Sequence, residues 1–303
     1  MRGVIKLKKS AEYGDSVMTY PRICAHRGFC TVAPENSIPA FASAIALGAE
    51  EIELDLWPTL DGKIVVCHDP SVDRTTDGQG LISGLVWDEI KTLDAGIKFS
   101  PHYSGLRIPL FEEILDLFGK KCEINIHIKS LEEKTSRNPA FQERVELLSR
   151  KYHPDYRAAA YPISNQSGET LDNVDNMHTR PYPADIFQKI LDIIDLYDCR
   201  EYVYFTGMGD VLTTAMEMTP DIERCCLEGH MNYSIVKNAV AYGCKKVQFC
   251  KLFLTRDIIS EAHDNGLICN VFWSDNPGEC AELLQSGINT ILTNDYLAVS
   301  KSL

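Results

Sequence analysis

Seven polar residues fall where short apolar runs end or alternate, and their types suit work on an anion. His26 and Arg27 close the run Ile23-Cys24-Ala25, and His68 closes Ile64-Val65-Val66-Cys67. Glu53 and Asp55 alternate with Ile52, Leu54 and Leu56, while His127 and Lys129 alternate with Ile124, Ile126 and Ile128. In a strand, residues two apart share a face, so Glu53 and Asp55 project together, as do Glu123, Asn125, His127 and Lys129. A charge turned towards a protein interior is costly unless it is paired or bound to a metal. Two carboxylates and an imidazole on neighbouring strands therefore form a candidate cation site: metal ligands Glu53, Asp55 and His127. Hard oxygen donors favour Mg2+ or Ca2+. The imidazole moves the preference towards Mn2+ or Zn2+.

Something must hold these groups at one end of one sheet. Strand patterns begin near residues 23, 51, 122, 201, 222, 246, 267 and 290, and helical patterns lie between most of them. Alternating strands and helices imply parallel βαβ units. Eight is the number that closes a TIM (β/α)8 barrel, whose active sites lie at the C-terminal ends of the strands. The rival is an open doubly wound sheet, which the lack of GxGxxG after the first strand disfavours for a dinucleotide site. Asp61-Gly62 predicts a hairpin turn before Ile64. Residues 1–20 read as a polar lead-in and 21–303 as the barrel domain. Residues 131–183 break the rhythm and read as an irregular insertion after the third strand, on the catalytic face, where it would help select the substrate.

The formal net charge is −13. That balance argues against nucleic acid as a partner and against an anionic membrane surface, which both recruit Lys and Arg. An anionic substrate would need a metal or a few placed cations. Eleven cysteines without a CxxC pair argue against a disulfide framework and for a reducing compartment, so the expected location is cytoplasmic. No apolar stretch reaches the roughly 18 residues of a membrane span, so no stable membrane insertion is expected. Oligomeric state leaves no mark in the sequence.

The runs His26-Arg27-Gly28, Pro34-Glu35-Asn36-Ser37, Glu53-Leu54-Asp55, Thr59-Leu60-Asp61-Gly62, His68-Asp69 and Arg74-Thr75-Thr76-Asp77-Gly78-Gln79-Gly80 come in an order and spacing that resembles the glycerophosphodiester phosphodiesterase family. The likeness continues more weakly through Ile108-Pro109, the strand ending at Lys129, Ala262-His263, Val271-Phe272-Trp273 and Gly287 to Asp295. It implies a TIM barrel, one divalent cation (Mg2+ or Ca2+) and two histidines, His26 and His68, as general acid and general base. It implies Glu53 and Asp55 as metal ligands, with Arg27 and Lys129 on the phosphate of a small glycerophosphodiester substrate. Trp273 would line the pocket above the glycerol, and Glu35 would orient Arg27. The implied reaction yields glycerol phosphate and an alcohol, by attack of a neighbouring glycerol hydroxyl on phosphorus. The alternatives are a related diesterase on another phospholipid-derived or sugar-linked diester, and a barrel that binds a phosphoryl ligand without turnover. One departure stands out: where the family carries Glu in an Ile-Glu-Ile-Lys type run, this chain has His127. That exchange removes one negative charge from the cation site.

Overall fold

Among the described residues the alternating runs become nine strands. The computed structural model describes residues 20–131, 181–229, 232 and 234–301. The strands are β1 (Arg22–His26), β2 (Glu51–Pro58), β3 (Ile64–Val66), β4 (Glu123–Ile128), β5 (Val203–Gly207), β6 (Glu223–Cys226), β7 (Lys246–Cys250), β8 (Ile268–Phe272) and β9 (Thr290–Thr293). All except β3 run parallel, and pairing of β1 with both β9 and β2 closes an eight-stranded barrel. This is the expected TIM architecture. β3 is a short antiparallel return strand on the end of β2, joined by the turn at Gly62, whose φ is +75°. The fourth barrel strand starts two residues later than its sequence pattern, because Arg200–Tyr202 form a 3-10 turn first.

Helices cover the outside. Helix α1 (Ile38–Ala46) begins at Ser37, whose hydroxyl accepts the Ala40 N–H at 3.3 Å, and has Pro39 in its first turn. Helix α2 (Phe111–Phe118) has no counterpart in the sequence reading, yet its signals are present. Phe111, Ile114, Leu115 and Phe118 recur at helical spacing and are buried, and Glu113 accepts the Leu110 N–H at 2.9 Å. The outward strand residues Ile52, Leu54, Leu56, Ile124, Ile126 and Ile128 join helix residues such as Phe41, Phe111 and Phe187 in one apolar core. Nine of the eleven cysteines are buried and none is disulfide-bonded. No helix among the described residues is long and apolar enough to cross a membrane.

A second excursion emerges that the sequence reading did not separate. Residues 59–110 leave the barrel between β2 and α2 and carry their own apolar cluster of Val65, Cys67, Val72, Ile82, Ile90, Ile108 and Leu110. The expected insertion at 131–183 and the lead-in at 1–20 fall almost wholly outside the described residues.

Candidate active site

Strand register assembles the site. Parallel pairing sets His26 opposite Glu53, Glu53 opposite Asn125, and Asp55 opposite His127. A one-residue slip in either ladder would turn the carboxylates into the apolar layer, so the outward isoleucines and leucines fix the inward chemistry. After β1 the chain turns sharply: Arg27 has φ +58° and Gly28 φ +83°. A Cβ on Gly28 would meet the Ala40 backbone at 2.6 Å, so only glycine lets α1 approach there. The turn aims the Arg27 backbone N–H at Glu53 Oε2, at 3.1 Å.

Glu53 and Asp55 are buried in the barrel mouth. Burial pushes the Glu53 carboxyl up to about 8, and the neighbouring Asp55 charge pushes in the same direction. Burial also opposes ionisation of Asp55. There it is outweighed by Lys129, followed by His68, His127 and Arg27, which hold this carboxyl well below its usual range. Lys129 Nζ lies 2.7 Å from Asp55 Oδ1, and His127 Nδ1 lies 3.0 Å from the same oxygen. Asn36 donates to Asp55 Oδ2 at 2.9 Å, and its own amide oxygen accepts the Asp55 N–H at 3.3 Å. Arg27 Nε is 3.7 Å from Asp55 Oδ2, while its Nη1 donates to Glu35 at 3.0 Å. Arg27 thus bridges the mouth and Glu35.

Glu53, Asp55 and His127 each offer a donor atom within 4.8 Å of the others. Two observations fit this set to a divalent cation. Burial and the Asp55 charge raise the Glu53 carboxyl even with Arg27 and Lys129 acting against them, and the ionised Asp55 is buried beside it. His127 itself is neutral: burial and then Lys129 lower its pKa to about 4, leaving a lone pair for coordination.

The two other imidazoles flank this cluster. His26 Nε2 is 4.0 Å from Glu53 Oε2, and its Nδ1 meets Asn294 Oδ1 at 2.8 Å. The Asn294 amide is held in turn, its Nδ2 donating to Asp275 Oδ2 at 2.9 Å. That fixes its oxygen towards His26 and gives His26 the Nδ1–H tautomer, with Nε2 free to accept. Burial, then Arg27, lowers the His26 pKa to about 3. Trp273 stacks on the same imidazole, with ring centroids 6.0 Å apart and planes at 19°. Its Nε1 donates to Asp275, so one carboxylate orients both the stacking ring and the amide behind His26. His68, close enough to Asp55 and Lys129 to feel both charges, has its Nδ1 2.6 Å from Asp69 Oδ1. Burial and Lys129 lower the His68 pKa, while Asp55 and Asp69 oppose them.

Every residue singled out in the sequence therefore reaches this mouth. Unforeseen were the supports: Asn36, Asp69, Asn294 and Asp275. Asn36 and Asp69 sit inside the quoted motifs. Asn294 follows the last strand, where a barrel loop returns to the mouth. Nothing local marks Asp275.

The family model described as glycerophosphoryl diester phosphodiesterase matches residues 26–298. The chain belongs to that family. Among similar curated proteins, a glycerophosphodiester phosphodiesterase of Caldanaerobacter subterraneus subsp. tengcongensis is 50% identical over 109 residues, 36% of this chain and 45% of that protein. Glycerophosphodiester phosphodiesterase 1 of Mus musculus is 40% identical over 91 residues, 29% of this chain and 28% of that protein. These matches span less than half the length of either relative. Among solved structures, an Oleispira antarctica phosphodiesterase in complex with the product sn-glycerol-3-phosphate superposes with a TM-score of 0.71 at 17% identity, covering 93% of this chain and 96% of that one. A glycerophosphodiester phosphodiesterase from Agrobacterium tumefaciens gives 0.64 at 20% identity, covering 91% and 99%. At such identity the likeness is one of fold.

Proposed function

We propose that this family member hydrolyses glycerophosphodiesters to glycerol phosphate and an alcohol, with a divalent cation held by Glu53, Asp55 and His127. The observation that carries the reading is the buried Glu53–Asp55–His127 cluster with an imidazole on either side. A cation bound there would polarise a phosphoryl oxygen and stabilise the negative charge of the transition state. Arg27 and Lys129, already at the cluster, add fixed positive charge around the phosphate.

The tautomers divide the proton work. His26, neutral and with Nε2 free, takes the proton from the glycerol hydroxyl that attacks phosphorus. His68 has Asp69 behind its Nδ1, which opposes the lowering of its pKa by burial and Lys129 and supports the protonated form that delivers a proton to the departing alcohol oxygen. Water then opens the cyclic phosphate with the two roles exchanged, restoring both imidazoles. Trp273, stacked on His26, covers the glycerol side and excludes bulk water.

The test is turnover of a panel of glycerophosphodiesters after chelation, with Mg2+, Ca2+, Mn2+ and Zn2+ restored one at a time. Restored turnover supports the reading, and the cation that restores it ranks the contribution of His127. Folded protein that turns over nothing with any cation, yet binds glycerol phosphate, would move the assignment to a binding barrel.

A further inference from the structure

A cavity of about 210 Å3 opens beside His68, between the 34–37 turn and the 59–110 excursion. It adjoins the imidazole assigned to the leaving alcohol, so it is where the head group would sit. The volume lies below the roughly 300 Å3 at which pockets for larger organic ligands begin, which suits a small head group and not an acyl chain.

Its wall has a charge pattern unlike that of the acidic chain as a whole. Glu35 is shared between two guanidiniums: Arg27 at 3.0 Å, and Arg74 at 2.7 and 2.8 Å. Arg107 is paired with Glu113. Lys98, at the rim, bonds only the Asp73 backbone carbonyl and has no carboxylate within 4.0 Å among the described residues. Besides the His68 ring, Phe99 is the one aromatic side chain of the wall among the described residues, and it is 44% exposed. A quaternary ammonium is recognised by aromatic faces around it, and one rim ring does not make such a cage.

We infer that this cavity is a head-group subsite selecting acidic over cationic head groups, with Lys98 as the discriminating cation. The inference rests on the hydrolase reading above. Lys98 would meet a head-group carboxylate or phosphate at the rim, while a choline would face its ammonium there. Glu35 and Asp69 both bond Arg74 and balance that corner, which leaves Lys98 as the wall's cation without a carboxylate partner among the described residues.

Three glycerol phosphodiesters differing in head-group charge test it: those of glycolic acid, glycerol and choline. Expected is kcat/KM falling in that order, by on the order of tenfold between the ends, with the spread shrinking as salt is raised. Lys98→Glu should compress or invert the order, and Lys98→Ala should compress it less; a thermal melt of each variant reports that the fold is kept. Choline ester used as well as glycolate ester, or an order untouched by Lys98→Glu, would overturn the subsite. No turnover of any of the three would instead sink the hydrolase reading, and the subsite with it.

Discussion

The barrel interior has two charged ends, and they treat their charges differently. At the floor, Glu123 is bonded by Arg22 and approached by Lys246 at 3.5 Å, while Lys246 also reaches Glu223 at 2.9 Å. Glu51 accepts the Tyr204 hydroxyl at 2.6 Å and lies 3.6 Å from Arg22. Two cations and three carboxylates interlock there. At the mouth, Glu53 and Asp55 lie side by side, with a neutral His127 beside them, Lys129 against both Asp55 and His127, and Arg27 3.7 Å from Asp55. Both ends obey the same alternation. The floor charges are held by one another's side chains and act as a structural plug; the mouth charges border the cleft that, on the proposed reading, takes a cation and a phosphate. Burial raises the Glu51 carboxyl too, with Glu123 adding to the effect, so the contrast lies in the partners and not in burial itself.

Crossed substitutions should break the comparison most visibly. His26→Ala or His68→Ala should cost about 10²- to 10⁴-fold in kcat with little change in Tm. Glu123→Ala removes the carboxylate that Arg22 and Lys246 share, leaving the buried Arg22 with Glu51 at 3.6 Å and Lys246 with Glu223. It should cost about 3–5 kcal/mol in a denaturant melt, while the folded fraction keeps its turnover. If the two variants failed in the same way, the two ends would not be functionally distinct.

The next effect is a pH signature. The folded pKa of Glu53, about 8, is raised above the unfolded value, so its contribution to stability is complete below about pH 4.5 and lost as pH rises towards 8. Chelated protein should lose on the order of a few kcal/mol across that window. A bound divalent cation should flatten the slope, and Glu53→Gln should flatten it without a cation. Denaturation midpoints between pH 5 and 9 read both. A slope unchanged by cation would mean that the mouth does not take one.

His127→Glu sharpens the contrast from the other side by adding a carboxylate where the charge is least balanced. It should tighten Mg2+ or Ca2+ binding, by on the order of tenfold in a titration, and shift the preference away from Zn2+. The smallest effect belongs to the support behind His26. Asp275→Asn should lower kcat by about tenfold with KM nearly unchanged, because it loosens the Asn294 amide that sets the imidazole. An equal rise in KM would point to Trp273 and substrate binding instead.

Much of this was legible along the chain, and the reason is periodicity. Strict alternation in 51–56 and 123–128 told which side chains share a face, and the βα rhythm gave eight strands and a mouth. The helix at Phe111–Phe118 was legible in principle, since its apolar spacing and Glu113 cap are local. The excursion at 59–110 was harder, because its cluster joins Val65 to Leu110 across loops with no period.

By itself, then, the sequence determined the inward set of His26, Glu53, Asp55, His127 and Lys129, because side-chain direction in a strand is a local property. Only the tertiary structure decided which inward charges are neutralised and which are left for a ligand. Arg22 meets Glu123 across a hundred residues, Asn294 reaches His26 from the last strand, and Lys98 faces a cavity with no carboxylate beside it among the described residues. Those pairings depend on barrel closure and register, and electrostatics acts through space with no regard for position along the chain.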